Sequence, residues 1–110
     1  MFAQGKRIVS EKSIAEMTHA HQAGGKEISY GLNWFVNIAN QRPTPMMPVG
    51  SFGHGGAFAT NGWVDPQHQL VTVFMVQNVL VPNSNQPRDT FQRLVNESLG
   101  IEPPVMPKGK

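Results

Sequence analysis

The sequence predicts an α+β domain, and three observations predict it. Residues 57–64 and 70–76 are rich in aromatic and β-branched side chains and flank a polar break at residues 65–69, the pattern of an antiparallel hairpin. Residues 27–38 (E-I-S-Y-G-L-N-W-F-V-N-I) form a further strand-like run. Near the C-terminus, Phe91, Leu94, Val95, Ser98 and Leu99 recur at i, i+3, i+4, i+7 and i+8, one face of an amphipathic helix. About three antiparallel strands, packed with this helix and a short N-terminal one, are therefore expected.

Each element has its own signal. Ser10 is a good helix N-cap, and Glu11 favours the first turn through the helix dipole. Ser13 with Glu16 offers a second, capping-box start. Ile14 and Met17 share a face of a helix about two turns long, and Gly24-Gly25 break it. In residues 27–38 the period of two puts Ile28, Tyr30, Leu32, Trp34 and Val36 on one face. The mostly small or polar set Ser29, Gly31, Asn33, Phe35 and Asn37 falls opposite, with Gly31 marking a bulge or a close approach.

Pro43, Pro45 and Pro48 make residues 39–50 a loop, and Met46-Met47 lay it on an apolar surface. Residues 51–56 read as a glycine-rich turn, whose glycines admit positive φ or close approach to a ligand. Residues 70–76 have lost alternation, which predicts a strand buried on both faces. Residues 79–86 read as a loop, Pro87 as the first helical residue and Gly100 as the helix stop. Residues 1–100 form one unit on this reading, and 101–110, with three prolines and two lysines, a loose tail.

Composition narrows the function. The chain has 110 residues, net charge +2 and no basic cluster longer than Lys6-Arg7, so it lacks the clustered basic face that nucleic acid needs. It has no cysteine, hence no disulfide, thiolate catalysis or zinc–cysteine site. No apolar run approaches the ~20 residues of a membrane span, and no secretory signal opens it, which leaves localisation undetermined.

His54 stands among Gly53, Gly55 and Gly56 with little bulk to hide behind, and its imidazole can donate hydrogen bonds or carry protons near neutral pH. Against this, a lone histidine is more often structural. His19-Ala20-His21 is the other conspicuous motif. Two imidazoles at i, i+2 share a face only in extended chain, and a metal would need a third ligand from His54 or His68. Exposed loop histidines are the expectation; no metal and no cofactor are expected. No nucleophile paired with a base is apparent.

The phrase F-G-H-G-G-A-F-A-T…W-V-D-P…L-V-T-V-F-M-V-Q-N, with R-I-V-S-E-K-S-I-A-E-M-T before it, resembles the C-terminal part of the serine β-lactamase-related family. That family holds class C β-lactamases, penicillin-binding proteins, D-aminopeptidases and family VIII esterases. The resemblance runs from Met1 to about Leu99 and implies part of a larger transpeptidase-like fold. It implies acyl transfer to a serine, on a small-molecule ester, amide or β-lactam. The family's site has a Ser-x-x-Lys, a Tyr-x-Asn-type motif and a Lys-Thr-Gly or His-x-Gly variant on the strand edging the pocket.

His54-Gly55-Gly56 matches the third motif. By carry-over, Ala57 gives a backbone N–H to the oxyanion hole, and His54 faces the substrate carboxylate or the proton relay. Ala59 departs from the pattern where relatives often carry a second glycine. No Ser-x-x-Lys occurs, and Tyr30-Gly31-Leu32 is not Tyr-x-Asn. The resemblance therefore implies a C-terminal fragment, inactive alone and prone to self-associate through an exposed sheet edge. A non-catalytic α+β binding module is the alternative from a different class.

Overall fold

Helix α1 (Glu11–Thr18) starts where its cap chemistry places it: Ser10 is extended, and its Oγ accepts from Ser13 N at 3.0 Å. A computed structural model describes residues 2–3, 5–78 and 86–102 of the chain. The expected tail at 103–110 and most of the expected loop at 79–86 lie outside the described residues. Two short antiparallel ribbons flank α1. One pairs β1 (Phe2–Ala3) with β2 (Lys6–Arg7); the other pairs β3 (Gln22–Ala23) with β4 (Lys26–Glu27). Gly24-Gly25 thus do more than end a helix, because they form the two-residue turn of the second ribbon, both at positive φ.

The main sheet runs β5 (Phe35–Val36), β6 (Phe52–Gly55), β7 (Asn61–Asp65), β8 (Leu70–Phe74), all neighbours antiparallel. The expected hairpin is β7–β8, with Asp65 opposite Leu70. Its turn is built on Asp65, which is buried. Oδ1 accepts from Gln67 N at 2.9 Å and His68 N at 3.2 Å, and Oδ2 lies 2.6 Å from His68 Nδ1.

Four sequence expectations need correction. Residues 27–38 are not one strand. Gly31 N donates to Trp34 O at 2.8 Å and Asn33 takes a left-handed φ of 65°, so the chain turns back before β5. Leu32, expected inside, is 50% exposed, and its N–H bonds Met17 O at the end of α1. Gly31 does mark a close approach, since a Cβ there would strike Met17 O and lie 2.8 Å from His19 O.

Second, the glycine-rich segment is itself a strand. None of Gly53, Gly55 and Gly56 has positive φ; the left-handed residue of the following turn is Ala59, at 64°. The strand after it accordingly starts at Asn61 rather than at residue 57. Third, β8 is covered on one face only. Thr72 is 6% exposed, but Val71 and Val73 are 64% and 57% exposed.

Fourth, helix α2 (Gln86–Ser98) is rotated from its apolar stripe. Leu94 and Leu99 are exposed, whereas Gln92 and Asn96 are buried. A polar chain explains this. Thr72 Oγ1 donates to Gln92 Oε1 at 3.0 Å, Gln92 Nε2 to Asn96 Oδ1 at 3.0 Å, and Asn96 Nδ2 to Met46 O at 2.8 Å. Each amide is satisfied, so burying it carries little penalty. Phe91 stacks on Phe74 beside this chain, with ring centroids 5.3 Å apart. The helix ends as expected at Gly100, φ 66°, with Ile101 N bonded to Asn96 O.

The apolar core of the described residues is small: Val36, Ile38, Met47 and Trp63. A buried amide organises its surroundings. Asn37 is fully buried, and its Nδ2 donates to Thr44 O at 2.8 Å and Met47 O at 3.0 Å while Oδ1 accepts from Thr44 N at 3.3 Å. Its backbone N–H and C=O bond Ser51 O and Gly50 N. The proline loop at residues 39–50 is thereby folded around one side chain, with Met47 laid inward as expected.

Candidate functional site

Phe-Gly-His-Gly is a poor strand former on propensity alone, so β6 is held by its neighbours. Four consecutive residues, Phe52 to Gly55, pair with Val64 to Asn61 of β7. Gly53 is needed for this pairing. It lies opposite the buried Trp63, and a Cβ there would strike Gly62 O and sit 2.7 Å from the indole ring. Gly53 and Trp63 share a row with Thr72, on the sheet face that α2 covers through Gln92.

Strand alternation assigns His54 to the other face, although its ring reaches Phe35, the residue paired with Gly53. There it shares a row with Gly62 and Val73, next to the row of Phe52, Val64 and Val71. This is the face on which Val71 and Val73 stand exposed. The His54 imidazole stacks on Phe35 at 4.9 Å between centroids, with the Tyr30 ring edge-on at 6.4 Å. Its Nδ1 lies 2.6 Å from Gly55 O; with the proton on Nδ1, that contact is a hydrogen bond and Nε2 is left as an acceptor.

The outer edge of β6 is open at this point. β5 pairs only with Phe52 and Gly53, and no described strand lies against the outer side of His54 and Gly55. His54, Gly55, Gly56 and Ala57 are all exposed. Gly56 N bonds Thr60 O at 2.8 Å, closing the turn, whereas no described residue accepts the Ala57 N–H. A ligand lying along this edge would meet backbone groups and an imidazole held by aromatic stacking.

The remaining histidines lie on other elements, although His21 N bonds Tyr30 O, the residue whose ring stands edge-on to His54. His68 is held in the β7–β8 turn by Asp65. His19 and His21 follow α1 and are joined by a residue that sequence reasoning passed over, Glu16. One ligand atom from each of the three lies within 4.8 Å of the others. The spacing i, i+3, i+5 across a helix end was the available signal. Tyr30 and Phe35 were likewise missed as neighbours of His54, because the tight turn between them is invisible to a period-two reading. Ser51, four residues before Gly55, is fully buried, and its Oγ has no partner among the described residues.

An antiparallel sheet with a C-terminal helix on one face and an open glycine–histidine strand edge defines an α+β protein with an edge-lying candidate site. The family model described as Beta-lactamase matches residues 1–97, and the chain belongs to that family. Among curated proteins, none matches it significantly.

Proposed function

We propose that this chain is the substrate-side, C-terminal portion of a β-lactamase-family serine hydrolase that transfers an acyl group from an ester, amide or β-lactam. The observation that carries the reading is the run from His54 to Ala57, exposed along an open strand edge in a chain of that family. Backbone N–H groups aimed at a developing oxyanion are worth ~10²–10³ in rate, and Ala57 N–H is the group available for that work. His54, oriented by Phe35 and by Gly55 O, offers Nε2 as an acceptor to a proton relay in its neutral form and as an N–H donor to a substrate carboxylate once the ring is protonated.

The serine nucleophile and its lysine come from outside these 110 residues on this reading, so the isolated chain does not turn over substrate. The bare face carrying Val71 and Val73 fits the same account, because it leaves apolar surface for further polypeptide two strands away from His54 in the sheet.

The test has two parts. The isolated chain, treated with a fluorophosphonate and with a penicillin, is expected to show no adduct by intact-mass spectrometry. Ser51 is too buried to react, and a stoichiometric adduct on it would overturn the proposal. The coding sequence in frame before Met1 is expected to encode Ser-x-x-Lys and then Tyr-x-Asn. A stop codon there would turn the enzyme reading into ancestry and favour a stand-alone binding module.

A further inference from the structure

We propose that Glu16, His19 and His21 form a binding site for a divalent transition-metal ion, zinc by ligand type, at the C-terminal end of α1. The site shares no residue with the His54 edge and does not depend on the hydrolase reading. Two imidazoles and a carboxylate are a donor set for zinc with room for water in the remaining position. One ligand atom from each residue lies within 4.8 Å of the others, and His21 Nδ1 is 3.9 Å from Glu16 Oε1. Ligands held ~2.0–2.1 Å from a tetrahedral ion stand about 3.3 Å apart, so closure from within 4.8 Å draws the three side chains together by about 1.5 Å at most, and Glu16 and His19 are exposed.

The hydrogen bonds around the cluster point the same way. His19 Nδ1 lies 3.0 Å from Ala15 O, and His21 Nε2 lies 3.0 Å from Glu16 O. A carbonyl can only accept, so each ring places its proton on that nitrogen. His19 Nε2 and His21 Nδ1 are left with their lone pairs. A ligating histidine whose second nitrogen donates to a backbone carbonyl is the usual support of a metal site. The two rings already lie side by side, with centroids 4.4 Å apart.

The backbone beneath them is pinned. Leu32 N bonds Met17 O at 3.0 Å, His21 N bonds Tyr30 O at 3.0 Å, and Ile28 N bonds His21 O at 2.9 Å. Gly31 packs against Met17 O and His19 O, where any side chain would collide. His19, at the end of α1, is extended, with φ −101° and ψ 159°, the conformation in which an i, i+2 pair shares a face. The last turn of α1 carries no basic side chain, so a cation there meets the negative end of the helix dipole without competition.

The probe is Co²⁺ added to the untagged chain, followed by its visible d–d absorption and then by displacement with Zn²⁺. One ion per chain, with the bands of a low-coordinate site that zinc abolishes, is the expected result. His19→Ala and Glu16→Gln are each expected to weaken binding by at least about tenfold, since even changes behind the ligands cost ~10–100-fold. His54→Asn is expected to leave it unchanged. Glu16 is exposed, so Glu16→Gln reports on the site even if His19→Ala disturbs the helix end. Absence of the bands, or binding that survives both substitutions, would overturn the proposal.

Discussion

Replacing Asn37 by alanine is expected to destabilise the chain by about 3–4 kcal/mol. The side chain is fully buried, and its three shortest hydrogen bonds, at 2.8, 3.0 and 3.3 Å, run to Thr44 O, Met47 O and Thr44 N, with a longer one of 3.4 Å to Pro48 O. Truncation leaves all three partners without the amide, in a site shielded from water. A buried group that loses its partner costs ~1–3 kcal/mol, and the low end of that range for three groups gives the figure. It is a large fraction of the ~5–15 kcal/mol that a domain has in total.

The assay is urea unfolding followed by fluorescence of Trp34 and Trp63. With a slope near ~1.5 kcal/mol per molar, the midpoint falls by about 2 M at unchanged slope. Amide exchange adds a local readout, because Thr44 N–H loses its acceptor and should exchange faster in the variant. A loss below ~1 kcal/mol with Thr44 exchange unchanged would refute the reasoning and show that the proline loop holds its shape without the amide.

Other expectations follow from the same structure. Ala59→Gly should stabilise by about 0.5–1 kcal/mol by relieving a left-handed alanine at φ 64°, measured as a raised urea midpoint. Gly53→Ala should cost at least ~2–3 kcal/mol and weaken the near-ultraviolet circular dichroism of Trp63, because the new methyl meets Gly62 O and the buried indole. Gln92→Leu should cost about 1–3 kcal/mol by stranding Thr72 and Asn96; combined with Asn96→Leu it should cost less than the two single changes together, read from a double-mutant cycle. Light scattering should show self-association of the isolated chain, and Val71→Lys with Val73→Lys should shift it toward monomer, since both side chains lie exposed on the strand at the sheet's end. A clean monomer with a cooperative melt would favour the binding-module alternative.

What could be read in the sequence was what local chemistry controls. Ser10 caps α1, the Asp65 turn joins β7 to β8, and Gly100 ends α2, because each is decided within a few residues. The family resemblance held because it rests on a contiguous phrase that the match to residues 1–97 covers. What failed depended on partners distant in sequence. Gln92 and Asn96 look like solvent-facing residues until Thr72 and Met46 O are placed beside them. Phe52–Gly55 looks like a turn until β7 pairs with it. Residues 27–38 look like a strand until Leu32 N finds Met17 O and Asn33 turns left-handed. At the candidate site, the glycines around His54 were visible, but the stacking of Phe35 and the open edge beyond Gly53 were not.

The polar seam under α2 fixes more than an energy. Leucine contacts let a helix roll or slip along its axis by a fraction of a turn and find new neighbours at small cost. Two directional bonds leave the helix, Thr72 to Gln92 and Asn96 to Met46 O, and with the Gln92–Asn96 bond bracing them from within α2 they allow one angular setting only. Stepping the helix by one residue rotates it by ~100° and breaks both bonds that leave it. α2 therefore acts as an indexing key. It locks β8 to the loop that Asn37 gathers, and Asn37 is hydrogen-bonded to Ser51, the residue before β6. The position of the His54 edge is tied in this way to the far side of the sheet.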